Sequence, residues 1–145
     1  MMDTIPSEFL MEYRLDLADA GYQFGPTPSG VRGTGSIKGG VFEGPRLKGS
    51  IEPYGADWMT IRPDDTLDPE VRAVFKTDDG ALIGVHYTGM IHPWSKLGAG
   101  SEMYWRVAMR FFTSAENYDW LNRILAIGSG RLEGRSAVYR VWAVK

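Results

Sequence analysis

Between Met103 and Phe111 the chain alternates without a slip: Met103, Trp105, Val107, Met109 and Phe111 share one face, and Glu102, Tyr104, Arg106, Ala108 and Arg110 the other. A period of two is the signature of a strand with one face turned to a core. Phe9–Leu17 repeats it, with Phe9, Met11, Tyr13, Leu15 and Leu17 set against Glu12, Arg14 and Asp16. Breakers make helical alternatives worse: 18 glycines and 8 prolines occupy 26 of 145 positions, against the roughly 12% of ordinary usage. A turn-rich, mostly β chain follows, long enough for the core of one domain.

Turn chemistry fixes the next elements. Val71–Lys76 and Ala81–Tyr87 flank Thr77-Asp78-Asp79-Gly80, whose Asp-Gly supplies the positive φ of a tight hairpin. Glu133-Gly134 plays the same part between Ile124–Arg131 and Ala137–Val144. Shorter strands are predicted at Ile37–Phe42, Leu47–Glu52 and Trp58–Arg62, a short helix at Ser114–Leu121, and long loops at Gly21–Gly35 and Gly89–Gly100. No repeat or linker divides the chain, so residues 1–145 read as one domain with a loose arm over 1–7. Arg72, Val74 and Lys76, like Val138, Arg140 and Trp142, mix charge with large apolar groups on one strand face. That favours an all-β fold, a single antiparallel, mostly up-and-down barrel of about 8–10 strands with at most one short helix, over a sandwich with wet outer faces.

Composition narrows the chemistry. With no cysteine there is no disulfide, thiolate metal site or thiol nucleophile. Two histidines, His86 and His92, match no metal-ligand spacing, so neither a metal nor a cofactor is expected. Gly33-Thr34-Gly35-Ser36-Ile37-Lys38 lacks the third glycine and the helix of a dinucleotide site. A net charge of -2 with interleaved signs favours neither nucleic acid nor a polybasic membrane surface. The acidic N-terminal stretch and the lack of a long apolar run point to a cytoplasmic protein.

Carboxyl groups are the remaining material, because one held in an apolar cavity exchanges a proton near neutral pH without a cofactor. Glu43, beside Gly44-Pro45, and Asp57, in Gly55-Ala56-Asp57-Trp58, are the candidate catalytic acids; capping of a turn is the plainer role for each. Arg62, Arg106 and Arg110 could meet such carboxylates or an anionic substrate, or simply be solvated strand positions. Trp58, Asn122, Tyr87 and Trp94 complete the expected substrate-binding set. Met90, Ile91 and Trp94 belong either to a lid or to a subunit contact, and a homo-oligomer, a dimer by preference, is expected.

Several ordered strings carry a resemblance. Gly39-Gly40-Val41-Phe42-Glu43-Gly44-Pro45-Arg46-Leu47-Lys48-Gly49 is followed by Pro53-Tyr54-Gly55-Ala56-Asp57-Trp58 and Arg62-Pro63-Asp64. Thr77-Asp78-Asp79-Gly80-Ala81-Leu82-Ile83, Tyr104-Trp105-Arg106 and Tyr118-Asp119-Trp120-Leu121-Asn122-Arg123 come after them. Together they resemble the DUF3237 family, also called UPF0311, over roughly residues 9–144. The resemblance implies a small, cytoplasmic, mostly bacterial β-barrel with no agreed reaction, and singles out Glu43, Asp57, Trp58, Arg62, Arg106 and Asn122. The chain departs from that pattern at Phe112, where an acid often stands, and at Met109, where proline often stands, which implies a more apolar pocket.

The leading functional expectation is a cofactor-independent lyase, isomerase or cyclase. It would use Asp57 or Glu43 as acid or base on a small, fairly apolar or aromatic metabolite in the barrel lumen. The alternatives are a barrel that binds a small molecule without catalysis and an oligomeric structural barrel without a site.

Overall fold

The computed structural model describes residues 3–18, 21–99 and 102–145. Ten antiparallel strands follow one another: β1 (Ser7–Leu17), β2 (Gln23–Thr27), β3 (Gly30–Glu43), β4 (Lys48–Ile61), β5 (Leu67–Asp68), β6 (Glu70–Thr77), β7 (Leu82–His92), β8 (Tyr104–Phe112), β9 (Leu125–Glu133) and β10 (Ser136–Val144). Each long strand pairs with its neighbours in sequence, and β10 returns to β1. Eight strands therefore close a barrel-like ring in the order β1-β3-β4-β6-β7-β8-β9-β10, with β2 and β5 as short additions. The only helical segments among the described residues are of 3₁₀ type, Trp94–Lys96 and Glu116–Arg123. No described helix is long and apolar enough to cross a membrane.

Both predicted hairpins form, with Gly80 and Gly134 at positive φ in their turns. Three expectations change. The separate short strands at Ile37–Phe42, Leu47–Glu52 and Trp58–Arg62 are parts of the two 14-residue strands β3 and β4. The expected Gly21–Gly35 loop contains β2 and the start of β3. The Gly89–Gly100 loop begins only after His92, leaving Met90 and Ile91 in β7. Of the loose N-terminal arm, Met1 and Met2 lie outside the described residues, as does Gly100. The backbone N–H of Lys145 donates to the carbonyl of Pro6, which ties the start of the described chain to its end.

The long strands bend at a bulge. Asp16 pairs with Gly39 but Leu17 with Ile37, so β3 carries one residue more than β1 there. The inward set accordingly switches from Ile37 to Phe42, across a change of parity. Gly39 and Gly40 carry the bend at positive φ, and a Cβ on Gly40 would stand 2.0 Å from the Arg14 carbonyl oxygen.

The interior is filled by rings. Tyr13 stacks on Tyr139 with centroids 4.7 Å apart, Phe42 on Phe75 at 4.9 Å, and Tyr87 meets Tyr139 edge-on at 5.6 Å. One end of the ring, near Leu82 and Phe112, is closed by the Glu116–Arg123 segment, whose Leu121 is completely buried. Over the other end, near His92 and Tyr104, the Trp94–Lys96 turn places Trp94 and Leu97 against the core.

Candidate functional site

Under that turn lies a chamber of about 120 Å³ lined by Asp57, Tyr87, Trp94, Leu97, Trp105 and Tyr139, with Leu15, Met59, Val71 and Ile91 among its aliphatic walls. Alternation along β4 brings Asp57 inward and sends Trp58 outward. Asp57 stands opposite Gly35 of β3 and Val71 of β6, and is only 8% exposed. One carboxyl oxygen, Oδ1, accepts the backbone N–H of Glu70 at 3.0 Å. Burial outweighs that hydrogen bond and pushes the carboxyl up from 3.8 to about 7, with the nearby Glu70 charge adding to the rise. The group is therefore poised to give and take a proton near neutrality.

Tyr87 and Tyr139 of the chamber, and Tyr13 packed behind them, are held as neutral phenols, raised chiefly by burial; the Asp57 charge disfavours ionisation of Tyr87 and Tyr139 further. The Trp105 indole N–H donates to Tyr139 Oη at 3.3 Å. Trp105 also lies over Gly130 of β9, where any Cβ would stand 2.5 Å from the indole. The chamber is thus a small aromatic space with one carboxyl in its wall, bordered by the exposed Arg135.

The turn above it is fastened to the β4–β5 loop. Asp65 accepts the Ser95 backbone N–H at 2.8 Å and its hydroxyl at 2.5 Å, and the Asp65 carbonyl accepts the Trp94 N–H at 2.7 Å. Thr66 Oγ1 and His92 Nδ1 are 3.0 Å apart alongside.

Asp57, Tyr87 and Trp94 are the sequence-predicted residues that the fold brings together. Glu43 is exposed on the outside, beyond the bulge that turns Phe42 inward, in an open groove of about 790 Å³ shared with Arg14, Arg131 and Arg140. Trp58 stacks on Phe24 on the outer wall at 5.9 Å. Arg62 is paired outside with Asp64 and Asp68, at 3.4 and 3.7 Å. Arg106 and Arg110 take the outward positions of β8, Arg106 donating to Ser129 Oγ at 3.0 Å and Arg110 standing opposite His86. Asn122 clamps the second 3₁₀ segment, accepting the Thr113 N–H and donating to the Thr113 carbonyl, both at 2.9 Å. Phe112 is outward and 65% exposed, so the residue at that position does not tune the chamber; Met109 is packed in the core.

Trp105 and Tyr139 were missed by motif reasoning, although alternation already sets Trp105 with Val107 and Met109 on the inner face. For Tyr139 the corresponding signal is the inward period Tyr139, Val141, Ala143 in β10.

The family model described as "Protein of unknown function (DUF3237)" matches residues 6–144. A UPF0311 protein of Rhodopseudomonas palustris strain TIE-1 is 32% identical over 138 residues, covering 89% of this chain and 90% of its own. The hydroalkoxylation enzyme phnH of Penicillium herquei is 29% identical over 123 residues, covering 84% of this chain and 72% of its own. The crystal structure of a β-barrel-like protein from Acinetobacter baumannii AYE is similar with a TM-score of 0.89 at 32% identity, covering 100% of this chain and 99% of that one.

Proposed function

From a chain that belongs to the DUF3237 family, we propose a cofactor-independent enzyme of the lyase, isomerase or cyclase type, in which Asp57 moves a proton on a small, uncharged, unsaturated metabolite held in the aromatic chamber. The observation that carries the reading is the Asp57 carboxyl itself, buried in a ring-lined space and titrating near 7. The hydroalkoxylation enzyme among its relatives adds a reaction of the right kind, addition of a hydroxyl across a carbon–carbon double bond.

In that reaction the alkene π electrons take the proton of Asp57, forming a C–H bond and leaving a carbocation on the neighbouring carbon. The substrate's own hydroxyl oxygen attacks that carbon, the C–O bond forms, and the hydroxyl proton passes to the Asp57 carboxylate. Atoms balance, the product is a cyclic isomer of the substrate, and the acid is restored. Trp105, Tyr139 and Trp94 line the space in which the cation would form, and aromatic rings attract positive charge at their faces.

The test is ring closure of small phenols carrying an alkenyl chain beside the hydroxyl, followed by NMR in D₂O. The expected product carries one deuterium on the carbon that Asp57 protonates. Asp57→Asn should lower turnover by about 10²-fold or more, the usual worth of a positioned acid. Unchanged turnover in that variant refutes the assignment.

A further inference from the structure

Two buried hydroxyls in the interior, Tyr13 Oη and Tyr87 Oη, make no well-formed hydrogen bond among the described residues, although the two phenols interact with each other. An unpartnered hydroxyl away from water is costly, and native folds keep few of them. Tyr139 differs, because its oxygen accepts the Trp105 N–H. Tyr13 differs in place, being packed on the Tyr139 and Phe75 rings outside the lining of the chamber. Tyr87 alone combines an oxygen without a well-formed hydrogen bond with a position on the chamber wall, and its side chain is buried, at 1% exposure.

Register places it on the same rung as the acid. Asp57 of β4 is opposite Val71 of β6, and Val71 is opposite Tyr87 of β7. The carboxyl and the phenol therefore start from one rung of the wall, on strands about 10 Å apart. Burial is the main cause that raises the Tyr87 phenol, the Tyr13 and Tyr139 phenols come next, and the Asp57 charge is a smaller addition of the same sign.

We propose that Tyr87 Oη is the group that binds a neutral ligand oxygen, a phenolic or other hydroxyl or a carbonyl, and that it restricts the chamber to uncharged, single-ring-sized oxygen compounds. This rests on the proposed function and deepens it, because the oxygen so held is the one that attacks. The neutral phenol can donate to a lone pair or accept an O–H, so it serves hydroxyl and carbonyl alike. The chamber, at 120 Å³, is close to the roughly 150 Å³ of an apolar cavity known to admit benzene.

Binding of phenol, toluene and benzoate to the full chain, by titration calorimetry on wild type, Tyr87→Phe and Tyr139→Phe, tests this. Wild type should prefer phenol to toluene by about 10-fold, the worth of one hydrogen bond, and should take no benzoate. Tyr87→Phe should lose the preference while its melting temperature holds or rises, since a hydroxyl without a well-formed hydrogen bond has gone; Tyr139→Phe should keep the preference. Phenol preference surviving in Tyr87→Phe, toluene bound as well as phenol by wild type, tighter benzoate binding, or no binding of any probe each overturns the proposal. The two readings fail separately. Ring closure that is indifferent to Asp57→Asn sinks the catalytic one while phenol selectivity stands, and a lost selectivity assignment leaves an Asp57-dependent turnover untouched.

Discussion

A carboxyl that titrates near 7 when folded and near 3.8 in its ordinary state must make the protein's stability depend on pH in a definite direction. The folded state holds the Asp57 proton more tightly than the unfolded chain does. The stabilising contribution is therefore complete below the unfolded pKa of 3.8, and it is lost as pH rises through the interval up to about 7. A difference of some three pH units at 1.36 kcal/mol each amounts to about 4 kcal/mol between the two limits. Asp57 is nearly buried, so solvent screening takes little from that figure.

Asp57→Asn supplies the reference, since its amide oxygen can still accept the Glu70 N–H and its shape is unchanged. Urea unfolding of both proteins from pH 5 to pH 9 gives the difference in unfolding free energy, from which the other titrating groups cancel. Wild type should lose about 2.5–3 kcal/mol relative to the variant across that range, with a slope near 1.4 kcal/mol per unit that flattens above pH 7. Parallel stability profiles would show that Asp57 is not perturbed, and would remove the ground for assigning it proton transfer.

Two substitutions check the boundaries of the site. Glu43→Gln changes an exposed group in the outer groove, so ring closure should match wild type and urea stability should move by no more than about 0.5 kcal/mol. Asp65→Ala removes the acceptor for both the N–H and the hydroxyl of Ser95; amide hydrogen exchange at Trp94–Leu97 should accelerate, while the exchange of the β6–β7 hairpin stays as it was.

Most of the architecture was legible because its signals are local. Alternation in β1 and β8 and an Asp-Gly turn are written in consecutive residues, and a meander needs only that each strand find the next. The strands running through Ile37–Arg62 were legible only in pieces. Their continuity runs through stretches that read as loop, Gly30–Ser36 at the start of β3 and Pro53-Tyr54-Gly55 inside β4, where the register shifts between Ile51 and Gly55, whereas the bulge at Gly39-Gly40 lies inside the predicted piece Ile37–Phe42. The same bulge decides the fate of Glu43. Counting by twos from the inward Ile37 carries Glu43 into the lumen; one extra residue turns Phe42 inward and leaves Glu43 in solvent.

The arginines show what sequence reading lacked in the opposite sense. Arg106 and Arg110 fall on the polar face of β8 in the alternation itself, and that face points outward, away from any lumen ligand. Trp105, on the other face of that strand, is the residue that reaches the chamber. A closed sheet gives each position one of two sides, so chemistry inside can come only from a polar residue standing in an apolar row. Asp57 meets that condition because Gly35 opposite it has no side chain and Val71 beside it is aliphatic. Tyr87 meets it two strands further on with an oxygen that makes no well-formed hydrogen bond. Both are departures from the inward apolar pattern, and both fall on one rung. A sheet that needed only stability would gain from leucine or phenylalanine at either place, so under the proposed function this wall segment is where stability is given up for a site.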